Sequence, residues 1–150
     1  LAEIIIPGIF LGVIYYALRV EIDYYWTKLY YSSSIVPFDG GATIFDADIK
    51  RFKIIWGINF TMLYGFLLTL LNIKKEKNVR LGWVSIGINV VGIFTFLVFA
   101  LFQLSELRVN FISPQNPDYF IPDTINIWLR YVSYIFAGGV IWATFQYTKQ

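Results

Sequence analysis

Residues 54–73 read IIWGINFTMLYGFLLTLLNI, twenty residues without a charge. A helix needs about 20 largely apolar residues to cross a hydrocarbon core roughly 30 Å thick, and this run supplies them unbroken. It lacks the two-residue alternation of a barrel strand, which excludes a closed β-barrel. Moving outward, residues 81–104 (LGWVSIGINVVGIFTFLVFALFQL) give a second such run. Residues 131–148 (YVSYIFAGGVIWATFQYT) give another, extended before Arg130 by TINIWL. The first apolar stretch, IIIPGIFLGVIYYAL, is shorter and spans if Arg19 snorkels to the interface, or if residues upstream of it have been cut away. The expected fold is therefore an all-α membrane protein. Its four transmembrane helices, at about 3–31, 49–73, 80–111 and 124–148, form a single module over residues 1–150.

Composition agrees with the spans. The 150 residues are 57% hydrophobic, 20% aromatic and 15% charged, with a mean hydropathy of +0.60. Soluble domains carry roughly 25% charged residues, so the deficit points to lipid. A net charge of +2, spread along the chain, gives no footprint for nucleic acid. Cysteine and histidine are both absent, which removes disulfides, thiolate nucleophiles, histidine triads and ordinary zinc sites. No catalytic, cofactor-binding or metal-ligating residue is assigned. The chain opens on Leu1 and its only methionine is Met62, the pattern expected of a piece of a longer protein.

Trp26, Trp56 and Trp128 fall near one end of their spans, and Trp83 and Trp142 near the other, as interfacial belts require. The tight loop KKEKNVR (74–80) carries four Lys/Arg and reads as cytoplasmic, with two extracytoplasmic loops opposite it. Both ends of the segment then lie in the cytoplasm of a multi-pass inner-membrane protein. The raw count runs the other way: seven basic residues on the far side against five here. The short loop is given the greater weight.

Small residues at four-residue spacing mark packing stripes, where backbones approach closely in lipid. They are Gly57, Thr61, Gly65 and Thr69 on the second span, and Gly8 and Gly12 on the first. Asn59 and Asn89 sit at membrane depth and need partners. Asn59 belongs to the sequon N-F-T, discounted at that depth. SSSIVPFDGG ends the first helix in turn chemistry. In FDADIKR, the D-x-D reads more readily as a helix cap from Asp46 or Asp48 than as a metal or nucleotide-sugar site.

The third run ends in FQLSELRVNF (102–111), with charges among leucines and phenylalanines. Arg19, Glu21, Asp23, Glu106, Arg108 and Arg130 fall on one side of the membrane, and Glu106 is expected to pair with Arg130 or Arg19. A lone charge at depth costs about 2.5–3.5 kcal/mol, and pairing offsets much of that. With no histidine and no line of carboxylates, a brace between helices is favoured over a proton path.

The strings LSELR, RVEIDYYW, INFTMLYGFLLTLLNIKK and LRYVSYIF resemble a family of large polytopic bacterial inner-membrane proteins, catalogued as domain of unknown function 2339. The resemblance implies more spans than four and carries no catalytic residues. Three functions compete. The first is a non-enzymatic structural or assembly module whose partners are the lipid bilayer and further membrane helices of the same chain or other subunits. The second is a transporter or channel element entered past Arg19, Glu106 and Arg130. The third is an enzyme acting on lipid or a lipid-linked sugar through Asp46, Asp48 or Glu106. A transporter requires a wet cavity near Asn59 or Asn89. An enzyme requires two acids converging on a cation in a cleft. A structural module requires buried small-residue stripes and neither of these.

Overall fold

The chain folds into long helices joined by three connections; the computed structural model describes residues 2–38 and 40–149. Helix α1 (Ala2–Ser32) runs past the first apolar stretch without a break. It stops where serines turn back on their own backbone. Ser32 Oγ donates to the Leu29 carbonyl at 2.8 Å and Ser33 Oγ to that of Tyr30 at 2.7 Å, a local competitor of helical bonding. The following loop closes through paired backbone bonds of 2.9 Å between Ile35 and Ile44.

Helix α2 (Ala47–Leu71) begins at Asp46, whose Oδ1 accepts the Asp48 N–H at 2.9 Å. The cap reading of the D-x-D thus holds for its first aspartate. At the far end a π-helical turn (Asn72–Glu76) leads to Lys77 in the left-handed region, φ 44°. Asn78 then caps α3 (Val79–Thr95), its Oδ1 accepting the Arg80 and Leu81 N–H groups. A second π-helical turn (Phe96–Ala100) joins α3 to α4 (Leu101–Ile112), so the three form one rod. Helix α5 (Ile125–Thr148) starts at Thr124, whose side chain makes no cap bond. Asp123 Oδ1 instead accepts the N–H and hydroxyl of Thr124.

Helix α2 is the axis of the bundle, with α1, the α3–α4 rod and α5 packed around it. Cross-helix partners fix the directions. Lys53 meets Thr27 while Tyr64 meets Leu11, so α1 is antiparallel to α2. Asn126 meets Asp48 at one end of α5, and Gly139 lies against Phe66 further along, so α5 is parallel to α2. The rod runs opposite to both, from Asn89 beside Thr69 to Asn110 beside Asp48. This is an up-down-up-down bundle. Its core of Ile55, Met62, Leu104, Leu107, Leu129 and Val140 is fully buried between α2, the rod and α5. Helix α1 stands outside that core, with no residue of its apolar window buried.

Among the described residues, three helices are long and apolar enough to cross a membrane: Ile5–Ser32, Ala47–Lys75 and Val79–Ile112. Helix α5, at 24 residues, is about 36 Å long by its rise. Arg130, three tyrosines, Gln146 and several small residues dilute its apolarity, and it falls outside that set.

Candidate functional site

Asp48 sits on the first turn of α2, and its residue is only 4% exposed. Three helices supply its partners. Arg51 Nη1, one turn along α2, donates to Oδ1 at 2.7 Å. From α4, Asn110 Nδ2 donates to Oδ2 at 2.8 Å, and from α5, Asn126 Nδ2 donates to the same oxygen at 2.6 Å. An ionised carboxylate only accepts, and here each oxygen is engaged by a donor. Charge-assisted bonds of this length are the strong class. The other face of Arg51 turns to Glu106 on α4, with Nη2 to Oε2 at 3.5 Å. That contact is longer and wetter, since the Glu106 side chain is 37% exposed.

Beside this centre, Asp46 is held above its ordinary carboxyl range. Burial is the main cause and the neighbouring Asp48 charge adds to it, opposed by the Asp48 and Ile49 N–H groups and by Arg51. A second charged group joins α1 to α2: Lys53 Nζ donates to Asp23 Oδ2 at 3.0 Å, and Arg19 approaches Asp23 at 3.8 Å. The Arg19 guanidinium lies where a Cβ on Gly57 would stand.

Compared with known proteins, the chain matches no family model, no curated protein and no solved structure. The site is accordingly read from its own geometry.

The six charges expected to cluster divide differently. Among the described residues, no ion pair joins Glu106 to Arg130 or to Arg19; its partner is Arg51. The cause is local: Arg51, on the first turns of α2, reaches both Asp48 on its own helix and Glu106 on α4. Arg19 and Asp23 belong to the α1–α2 group, four residues apart on one helix. Glu21 and Arg108 are exposed, Arg130 is half-buried, and none of the three is in an ion pair among the described residues.

Asn89 Nδ2 donates to Thr69 and Thr144, each at 2.9 Å, and Thr69 Oγ1 bonds back to the Gly65 carbonyl. Asn59 is fully buried, yet among the described residues neither its Oδ1 nor its Nδ2 has a partner. Gly57, Gly65, Thr61 and Thr69 do lie at helix contacts: Thr61 Oγ1 meets the Tyr15 hydroxyl at 2.9 Å. Gly8 and Gly12 do not, since a Cβ on either meets nothing within 4 Å. Sequence reasoning missed Arg51, Asn110 and Asn126 as partners of Asp48. The available signal was a set of polar side chains recurring at the same end of three apolar helices, each within a turn or so of the helix end.

Proposed function

We propose that the chain is a non-enzymatic, four-span module with a structural and assembly role in a larger polytopic bacterial inner-membrane protein, as its resemblance implies. The observation that carries this reading is the state of Asp48. Its carboxylate is buried and fully engaged by donors from three helices, which suits a brace. A catalytic acid or ion ligand needs an oxygen free for substrate. Asp48 and Glu106 do converge on one cation, as an enzyme would require, yet that cation is held by the buried carboxylate. Of the two asparagines a transporter would use, Asn89 has its amide N–H groups committed to Thr69 and Thr144, and Asn59 is fully buried inside the bundle.

A fourth span is favoured because α5 runs beside α2 along its length, with Asn126 level with Asp48 and Thr144 level with Thr69. A helix flanking a spanning helix from end to end passes through the same bilayer. Both termini are then cytoplasmic, with the 74–80 loop. Of the opposing basic residues, Arg19, Arg51 and Lys53 lie in ion pairs within the bundle, and loop charges are what orient a chain. The bilayer and further membrane helices are the partners of such a module.

The test is thermal unfolding in detergent of Asp48→Asn beside Glu106→Gln. Stripping one partner from a buried ion pair costs about 3–5 kcal/mol, so Asp48→Asn is expected to melt far lower. Glu106→Gln, touching a partly exposed and longer contact, is expected to lose less than about 1 kcal/mol. An Asp48→Asn protein that melts as the parent does, while the cell loses the protein's function, would sink the structural reading.

A further inference from the structure

Helices α1 and α3 both pack on α2, and between them runs a half-open groove of about 960 Å³ at the end of the bundle away from Asp48. That volume lies at the upper end of the range of roughly 300–1,000 Å³ for small-molecule pockets. The floor is α2 and the π-helical turn that ends it, from Thr61 to Lys75, about 21 Å by helical rise. This exceeds one leaflet, half of a core roughly 30 Å thick. The walls carry Gly8 and Gly12 on one side and Val84 and Gly87 on the other. A Cβ on any of these glycines meets nothing within 4 Å, so the space is open. The hydroxyls that reach the groove are engaged within the fold: Tyr15 bonds Thr61, and Tyr64 bonds the Leu11 carbonyl at 2.7 Å. The lining is otherwise apolar until its loop end, where Lys75, Asn78 and Arg80 close it. Among the described residues neither Lys75 nor Arg80 takes part in an ion pair.

We propose that this groove is a binding site for an anionic phospholipid, an acyl chain lying along α2 and the phosphate held at Lys75 and Arg80. Charge complementarity selects the occupant, since a hydrophobic trough ending in two cations that are in no ion pair among the described residues matches an amphiphile with a negative head. The inference needs only that the chain lies in a bilayer. It is independent of the bracing role of Asp48, which sits at the opposite end of α2.

The experiment is native mass spectrometry of the detergent-solubilised chain, titrated with phosphatidylglycerol and with phosphatidylcholine of the same acyl length. Two basic side chains near a headgroup are expected to favour phosphatidylglycerol roughly ten- to thirty-fold. Lys75→Gln with Arg80→Gln should bring that preference close to parity, while Lys28→Gln with Lys50→Gln, at the other end, should leave it intact. Phosphatidylglycerol with a photoreactive acyl chain, added to the unaltered chain, should crosslink within 7–15 and 84–91. Equal binding of the two lipids overturns the proposal. So do crosslinks spread evenly over α5, or a preference that survives the Lys75 and Arg80 changes. Dimers whose interface maps to the groove would make a second copy the occupant, and would overturn it too.

Discussion

Asp46 and Asp48 stand two residues apart and do different work because their surroundings differ. Asp46 caps α2 through a backbone N–H, while Asp48 turns inward to Arg51 and two asparagines. Burial raises the Asp46 carboxyl above its ordinary 3.8, so the folded chain holds that proton more tightly than the unfolded one. Its contribution to stability is therefore present at acid pH and lost as pH rises through the raised value. Asparagine caps about as well as aspartate and does not titrate. Asp46→Asn is expected to match the parent in acid and to become relatively more stable toward neutrality, read from melting temperatures across pH. A parent that gains on the variant as pH rises would contradict this. The D-x-D was legible in the sequence as a cap. The inward role of Asp48 was not, because it depends on asparagines 62 and 78 residues away.

At the scale of the element, the helix spans were readable because runs of apolar residues and turn chemistry are local properties. The π-helical turn at Phe96–Ala100 was not. It has a packing consequence along the rod, whose buried stripe passes through Gly82, Ser85, Asn89 and Gly92, then Phe96, Ala100 and Leu104. The residue added by a π turn lets two successive steps of four follow the earlier alternation of three and four, keeping one face on the core. Close helix approach is decided at this level as well. A Cβ on Gly65 would strike the Asn89 side chain, whereas one on Gly138 meets nothing within 4 Å. Gly65→Ala should displace Asn89 from Thr69 and Thr144, destabilising by about 1–3 kcal/mol. Gly138→Ala should be neutral or gain up to about 1 kcal/mol from helix propensity. Thermal unfolding of the pair checks this, and equal melting of the two would remove the close-packing role of Gly65. The stripe on α2 was legible as spacing; that Gly8 and Gly12 face open space was not, since identical spacing occurs with and without a neighbour.

For the whole molecule, the up-down-up-down arrangement makes a topological prediction. The chain has no cysteine, so single substitutions report without background. Lys77→Cys and Thr148→Cys should react with a membrane-impermeant thiol reagent from one side, the cytoplasmic one in the orientation proposed above, and Ala42→Cys and Asp118→Cys from the opposite side. Labelling of Asp118→Cys and Thr148→Cys from the same side would mean that α5 does not cross. The sequence by itself determined the all-helical class, the approximate ends of the long apolar helices and the tight basic turn. Lengths of apolar chain and local breakers are fixed along the backbone, and the bilayer admits few solutions. Only the tertiary structure decided which charges meet. Rotation of each helix about its axis, shifted in the rod by the π turn, selects which polar side chains face inward. That rotation placed Arg51 rather than Arg130 against Glu106, and gave Asp48 its three donors.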